Sequence, residues 1–246
     1  MQKICFITDL HIDTDDNKPM GIDTKQHFLN ILEKAVQHND YDLIILGGDL
    51  CHRTGDESTY KWVYNQISNT GINFLVIPGN HDTSVMLASA FHQSQHIHND
   101  ELYFTHQIEH YKALFLDSSL GSFSTQQWLW LRDQIQENGD EVLIFMHHSP
   151  IQAHSKHMEP KYMFRQTEKF EALCDMYPEK KFYIVTGHYH IERTVVKKNI
   201  TVFITPSTFV QIDPNSDEFK PYTSLIGYRE ICINQKGSFH TEVIYL

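Results

Sequence analysis

Lys3-Ile4-Cys5-Phe6-Ile7-Thr8-Asp9-Leu10-His11 is the stretch from which the fold of this chain can be read. Apolar residues run without a break from Ile4 to Ile7, as in a strand buried on both faces. A carboxylate and an imidazole follow at once, two positions apart, so in a continuing strand they share a face. The same pattern recurs. Leu43-Ile44-Ile45-Leu46 leads into Gly47-Gly48-Asp49, and Phe74-Leu75-Val76-Ile77-Pro78 leads into Gly79-Asn80-His81-Asp82. Val142–Met146 leads into His147-His148-Ser149-Pro150, and Tyr183-Ile184-Val185-Thr186 into Gly187-His188-Tyr189-His190. A lone Asp-x-His occurs often by chance. Five ligand-bearing motifs, each at the end of a strand-like run, are a different matter, because one sheet edge can gather distant ligands around two metal ions.

Working outward, strands are expected at Lys3–Thr8, Leu43–Leu46, Asn73–Ile77, Tyr111–Leu116, Val142–Met146 and Phe182–Thr186. Helical periodicity lies between them. Thr24–His38 sets Phe28, Ile31, Leu32 and Ala35 on one face; Ser58–Ser68 and Thr125–Ile135 behave alike, with Ser124 or Thr125 as N-cap. This βα alternation predicts a largely parallel sheet. Thr194–Thr205, Leu225–Asn234 and Ser238–Tyr245 read instead as consecutive strands that close a second, antiparallel sheet, the last two joined at Gln235-Lys236-Gly237. The expected architecture is α/β, bordering on α+β: one domain over residues 1–246, in two similar halves, with two sheets face to face and helices outside. The site would lie where strand ends from both halves meet. Two polar excursions, Asp13–Asp23 and Gln152–Phe164, each follow a ligand motif and are placed at the rim of the pocket.

The 246 residues are ample for a core. Apolar residues make up 41% and charged residues 21%, a globular balance. No apolar run approaches a membrane span, so no membrane partner is expected. Nor does the amino terminus read as a secretory leader, since cleavage there would remove Asp9. Cys5, Cys51, Cys174 and Cys232 are scattered without a CxxC pair, which points to a reduced, cytoplasmic setting. A formal charge of −11 disfavours a nucleic-acid polymer, whose binding rests on phosphate neutralisation. A small anionic substrate fits better.

The residue types narrow the chemistry. Asp9 and His11 can reach one ion from a strand end. The two oxygens of Asp49 can bridge a pair of ions, and Gly47-Gly48 lets the backbone turn close to them. Asn80 offers a neutral carbonyl oxygen. His81 then points elsewhere, toward phosphate or leaving group, and Asp82 is expected to hydrogen-bond it and fix its tautomer, or to cap a helix. His147 comes straight off its strand and is favoured over His148 as a ligand. His188 and His190 can each serve a different ion. A nitrogen and oxygen set without thiolate suits manganese, iron or zinc, and argues against a dedicated calcium site. Together these residues imply a two-metal hydrolase acting on a phosphoester. There is no GxxxxGK[ST], GxGxxG or GxSxG to support another chemistry.

The ordered set Asp9/His11, Asp49, Gly79-Asn80-His81-Asp82, His147 and Gly187-His188-Tyr189-His190 resembles the calcineurin-like metallophosphoesterases. The resemblance spans nearly the whole chain and lacks no motif residue. It implies a four-layer αββα sandwich of two mixed sheets, with a binuclear metal site at the carboxyl ends of the strands. It also implies that Asp9, His11, Asp49 and His190 hold one ion, and Asp49, Asn80, His147 and His188 the other. His81 would be the catalytic histidine, aided by Asp82, and Asn80, His81 and His190 would meet the substrate. Thr205-Pro206-Ser207-Thr208-Phe209-Val210-Gln211, Gly227-Tyr228-Arg229 and Thr241-Glu242-Val243 are similar to segments of bacterial class III 3′,5′-cyclic AMP phosphodiesterases. That likeness implies attack by a hydroxide shared between the two ions, converting 3′,5′-cyclic AMP to 5′-AMP. The loop Gln152–Phe164 departs from the subfamily pattern. The same ligand set also serves nucleotidases and 2′,3′-cyclic or glycerophosphodiester phosphodiesterases. A non-catalytic scaffold is disfavoured because all seven ligands and His81 are kept. The resemblance allows a homodimer, though no interface stands out in the sequence.

Overall fold

Two mixed sheets lie face to face in the computed structural model, which describes residues 1–14, 17–38, 41–235 and 239–246. In chain order the elements begin with β1 (Gln2–Ile7), α1 (Thr24–His38), β2 (Leu43–Leu46), α2 (Glu57–Ser68), β3 (Asn73–Val76) and α3 (Ser84–Ala90). Four short strands follow: β4 (Ile97–His98), β5 (Glu101–Leu102), β6 (Phe104–Ile108) and β7 (Tyr111–Phe115). Next come α4 (Thr125–Glu137), β8 (Glu141–Phe145), α5 (Glu159–Tyr162), α6 (Thr167–Asp175) and β9 (Lys181–Thr186). The chain ends in β10 (Arg193–Lys197), β11 (Ile200–Ile204), β12 (Gln211–Ile212), β13 (Pro221–Thr223), β14 (Gly227–Ile233) and β15 (Phe239–Tyr245).

One sheet has the order β15-β14-β1-β2-β3, the other β10-β11-β9-β8-β7-β6. Each has a parallel run, β1-β2-β3 and β7-β8-β9-β11, with antiparallel strands β14 and β15 at one edge of the first and β10 and β6 at the two edges of the second. The period of two explains the layers. In β1, Cys5 and Ile7 face the helices α1 and α2, whereas Ile4 and Phe6 face the opposite sheet. In β8, Val142 and Ile144 meet α4 and α6, whereas Leu143 and Phe145 point between the sheets. Helices thus cover both outer faces, giving the four-layer αββα sandwich. Asp56 caps α2 by accepting from Thr59 N at 2.7 Å, and Ser124 is the residue that caps α4, accepting from Gln127 N at 3.1 Å.

The last third departs from expectation. Thr194–Thr205 is two strands, β10 and β11, reversed at Lys198, whose φ is +54°. The strands β14 and β15 do not close the second sheet; they complete the first, alongside β1. The reason is burial: Ile231 and Ile233 face the inter-sheet core beside Ile4, while Tyr228 packs on the helix side. Of the expected turn Gln235-Lys236-Gly237, the last two residues lie outside the described residues. Among the described residues no helix is long and apolar enough to cross a membrane. All four cysteines are buried and free of disulfides.

Between the sheets, Phe104, Phe115 and Phe145 form a stack, with ring centroids 4.7 and 4.9 Å apart. Phe115 is fully buried at its centre, away from the ligand loops. Phe115→Ala is therefore expected to cost about 3–5 kcal/mol in equilibrium urea unfolding.

Candidate metal centre

Parallel strands deliver their carboxyl ends to one edge, where ligand sites of such sheets are found. Asp9 and His11 follow β1, Asp49 follows β2, Asn80 and His81 follow β3, His147 follows β8, and His188 and His190 follow β9. Backbone bonds tie these loops together: Asp9 N to Gly48 O at 3.0 Å, His11 N to Asp49 O at 3.0 Å, and Gly187 N to His147 O at 3.1 Å. The glycines are required by closeness. Gly48 has φ +97°, and a Cβ there would meet Gly79 N at 2.6 Å and His147 Nδ1 at 2.7 Å. A Cβ on Gly79 would collide with the Asp49 carboxylate.

Three overlapping groups bring ligand atoms within 4.8 Å of one another: Asp9, His11 and His190; Asp49, His147 and His188; and His11, Asp49 and His81. The first two correspond to the two expected ion sites. Nε2 of His11 and of His190 are 3.1 Å apart, and His190 Nε2 lies 3.3 Å from Asp9 Oδ1. His147 Nε2 lies 3.3 Å from Asp49 Oδ2 and 3.8 Å from Asp9 Oδ1. That nitrogen is buried and has no hydrogen-bond partner among the described residues. Asn80 is exposed and shares a cavity with His81 and His190.

The outward-facing nitrogens explain why the ligand atoms face in. His147 Nδ1 donates to Gly47 O at 2.8 Å, His190 Nδ1 to Val210 O at 2.8 Å, and His188 Nε2 to Tyr162 O at 2.8 Å. A carbonyl can only accept, so in the neutral ring each outer nitrogen carries the hydrogen and each inner one keeps a lone pair. Buried lone pairs converging on two carboxylates fit divalent cations. Burial pushes the Asp9 carboxyl up, but His190 and His147 outweigh it and hold it at about 2. For His147 burial acts downward, and Asp49 and Asp9 overcome it, raising the ring to about 9.

Asp82 is corrected. It does not touch His81. Its carboxylate accepts from Gly79 N at 2.9 Å, Leu50 N at 3.2 Å, Cys51 N at 3.3 Å and the Tyr60 hydroxyl at 3.0 Å. It thus joins the Asp49 loop to the Asn80 loop. Burial and the nearby Asp49 push its carboxyl up to about 6. The acceptor that orients His81 is Arg53 O, 3.1 Å from Nδ1, and His81 N donates to Asp49 Oδ1 at 2.8 Å. His148 is buried and in none of the three groups, with Nδ1 3.1 Å from Ser118 Oγ. Cys51 packs in the hydrophobic core with Leu50 and Tyr60, where burial and Asp82 push its thiol up to about 12.

Residues 2–192 match the family model of calcineurin-like phosphoesterases. The chain belongs to that family. A relative from Fibrobacter succinogenes, named as a probable cyclic nucleotide phosphodiesterase, is 33% identical over 88% of this chain and 84% of its own. A 3′,5′-cyclic adenosine monophosphate phosphodiesterase of Vibrio vulnificus is 29% identical over 98% of this chain and 89% of its own. Among solved structures, a dimetal phosphatase from Danio rerio superposes with a TM-score of 0.66, covering 94% of each chain at 12% identity, a likeness of fold alone. The protein is a metal-dependent phosphodiesterase whose Asp/His clusters could bind its ions.

The supports beyond residue 192 were present in the sequence only as a motif. In Thr205–Gln211, Ser207 Oγ and Thr208 Oγ1 donate to Asp9 O at 3.0 and 3.2 Å, and Val210 O orients His190. Arg229 donates to Thr205 Oγ1, Thr241 Oγ1 and Ile204 O, so the three segments singled out in this phosphoesterase form one network. Ser207→Ala is expected to weaken metal affinity about 10–100-fold, measured by titrating the metal-free protein.

Proposed function

We propose that this phosphodiesterase, acting as one domain over residues 1–246, opens 3′,5′-cyclic AMP to 5′-AMP. The observation that carries the reading is a cavity of about 550 Å³ beside the Asp/His cluster. Its lining combines His11, Asp49 and His81 with the apolar Phe209, Val210 and Ile212. Its volume is that of a small-molecule site. A cyclic nucleotide offers the matching pair of surfaces, an anionic diester and a flat base. The name of the Vibrio relative supports the same substrate. The formal charge of −11 speaks against a nucleic-acid polymer. The four buried cysteines, none of them in a disulfide, support a cytoplasmic setting.

In this reading Asp9, His11, Asp49 and His190 hold one ion, and Asp49, Asn80, His147 and His188 the other, with manganese, iron or zinc suited to the donors. Two such ions, when bound, supply positive charge beside the phosphate oxygens and lower the pKa of water. Asn80, His81 and His190 line the cavity and meet the phosphate. The Nδ1 hydrogen of His81 is committed to Arg53 O, so it is from the doubly protonated ring that Nε2 passes a proton to the departing O3′, as water adds to phosphorus and the P–O3′ bond breaks, leaving the neutral Nδ1–H ring. Asp82 keeps the loops of Asp49 and Asn80 in register and handles no proton.

The deciding experiment measures turnover of 3′,5′-cyclic AMP, 2′,3′-cyclic AMP, a 5′-mononucleotide and bis(p-nitrophenyl) phosphate by metal-reconstituted protein. Preference for 3′,5′-cyclic AMP with 5′-AMP as product is expected. Turnover of the artificial diester alone would remove the cyclic-nucleotide assignment. His81→Ala should lower turnover about 10²–10⁴-fold with both ions retained. Asp49→Ala, which removes the shared ligand, should lose both ions by elemental analysis; wild-type occupancy there would end the bridging role.

A further inference from the structure

One wall of the cavity is built by two loops that carry none of the Asp/His cluster. Lys156 N donates to Pro214 O at 2.9 Å, and His157 Nδ1 lies 3.3 Å from Asp217 O. Arg193 fixes the first loop from behind, donating to Ala153 O at 2.6 Å and His154 O at 2.7 Å. His157 is therefore held between two anchored segments, and it lines the cavity while only 8% exposed. Its ring is flanked by Tyr162 and Phe219, at centroid distances of 5.9 and 6.1 Å. Those two aromatics also line the cavity, yet are 48% and 49% exposed, so large flat apolar faces stand open at its mouth.

On the cyclic-nucleotide reading above, on which this rests, we infer that His157, Tyr162 and Phe219 form the nucleobase subsite and that His157 reads the base. The Asp217 carbonyl can only accept, so Nδ1 of the neutral ring carries the hydrogen and Nε2 keeps a lone pair. Nε2 has no hydrogen-bond partner among the described residues. A lone pair there accepts from the exocyclic amine of adenine and opposes the carbonyl that guanine carries at the same place. Tyr162 and Phe219 supply stacking surface, which any base accepts. Hydrogen bonding thus discriminates and stacking binds. The loop Gln152–Phe164, which departs from the subfamily pattern, is where this chain sets its own base preference.

The test compares kcat/KM for 3′,5′-cyclic AMP, 3′,5′-cyclic GMP and bis(p-nitrophenyl) phosphate in wild type, His157→Phe and Phe219→Ala, all metal-reconstituted. His157→Phe keeps a flat ring and removes the acceptor, so the preference for cyclic AMP over cyclic GMP should shrink about five- to tenfold. Phe219→Ala should raise KM for both cyclic nucleotides about equally, by fivefold or more. An unchanged cyclic AMP to cyclic GMP ratio in His157→Phe overturns the base-reading role. So does an equal loss on all three substrates, which marks damage to the loop. Should Phe219→Ala leave both KM values unchanged, the stacking surface is refuted. Wild-type protein that cleaves only the artificial diester would instead refute the substrate reading, and this subsite with it.

Discussion

Two carboxylates and four imidazoles share one dry pocket at the edge of the sheets, and the rest of the structure is arranged to keep them there. Asp9 is fully buried and Asp49 is 2% exposed. Carboxylates so placed are strongly disfavoured unless opposing charge or hydrogen bonds meet them. Here His190 and His147 supply charge, while His188 N and His81 N donate to the two carboxylates. The backbone is also forced. Asp9, His11, Asp49, His188 and His190 all have φ between +46° and +67°. Each such residue costs on the order of 1–3 kcal/mol unless its surroundings impose it. Strain at five of the seven expected ligand positions persists because parallel strands on both sides of the sandwich fix where each loop begins.

That constraint accounts for the carboxyl-terminal segments. The left-handed turn at Asp9 leaves its carbonyl aimed away from the β1 ladder, and Ser207 and Thr208 take it up. Gln211 closes the same loop, accepting from Ser207 N at 3.1 Å and donating to Ser207 O at 2.8 Å. Arg229, 3% exposed, links this loop to β14 and β15; burial lowers its pKa to about 10, which leaves the guanidinium charged at neutral pH. Placing β14 against β1 is thus more than a way to cover an edge. It sets Arg229 where it can hold the segment that holds Asp9.

Much of this was legible in the sequence, for identifiable reasons. Uninterrupted apolar runs such as Leu43–Leu46 announce strands buried on both faces, and the polar motif after each marks the same sheet edge. The first two-thirds of the fold and the convergence of Asp9, His11, Asp49, His147, His188 and His190 at one edge followed from that. The C-terminal third misled because Thr194–Thr205 has strand-like composition throughout, and nothing local signals that it reverses at Lys198. Sheet membership of β14 was equally hidden, since it depends on which edge is open in three dimensions. Short elements such as β4 and β5 carry too few residues to show a period.

The error at Asp82 has a more general cause. Pairing His81 with the adjacent carboxylate assumed that a side chain orients a histidine. In this fold backbone carbonyls do so: Gly47 for His147, Val210 for His190, Tyr162 for His188 and Arg53 for His81. Any residue type can present a carbonyl, so these partners leave no trace in a motif. The consequence is physical as well as methodological. No substitution of one residue can delete such an acceptor, and none of the four titrates. Tautomer choice at the site is therefore tied to the positions of four separate loops. A loop that shifts, such as the one carrying Tyr162 and His157, would act on a metal ligand and on the cavity wall together. Specificity and ligand orientation are coupled in this chain through that single segment.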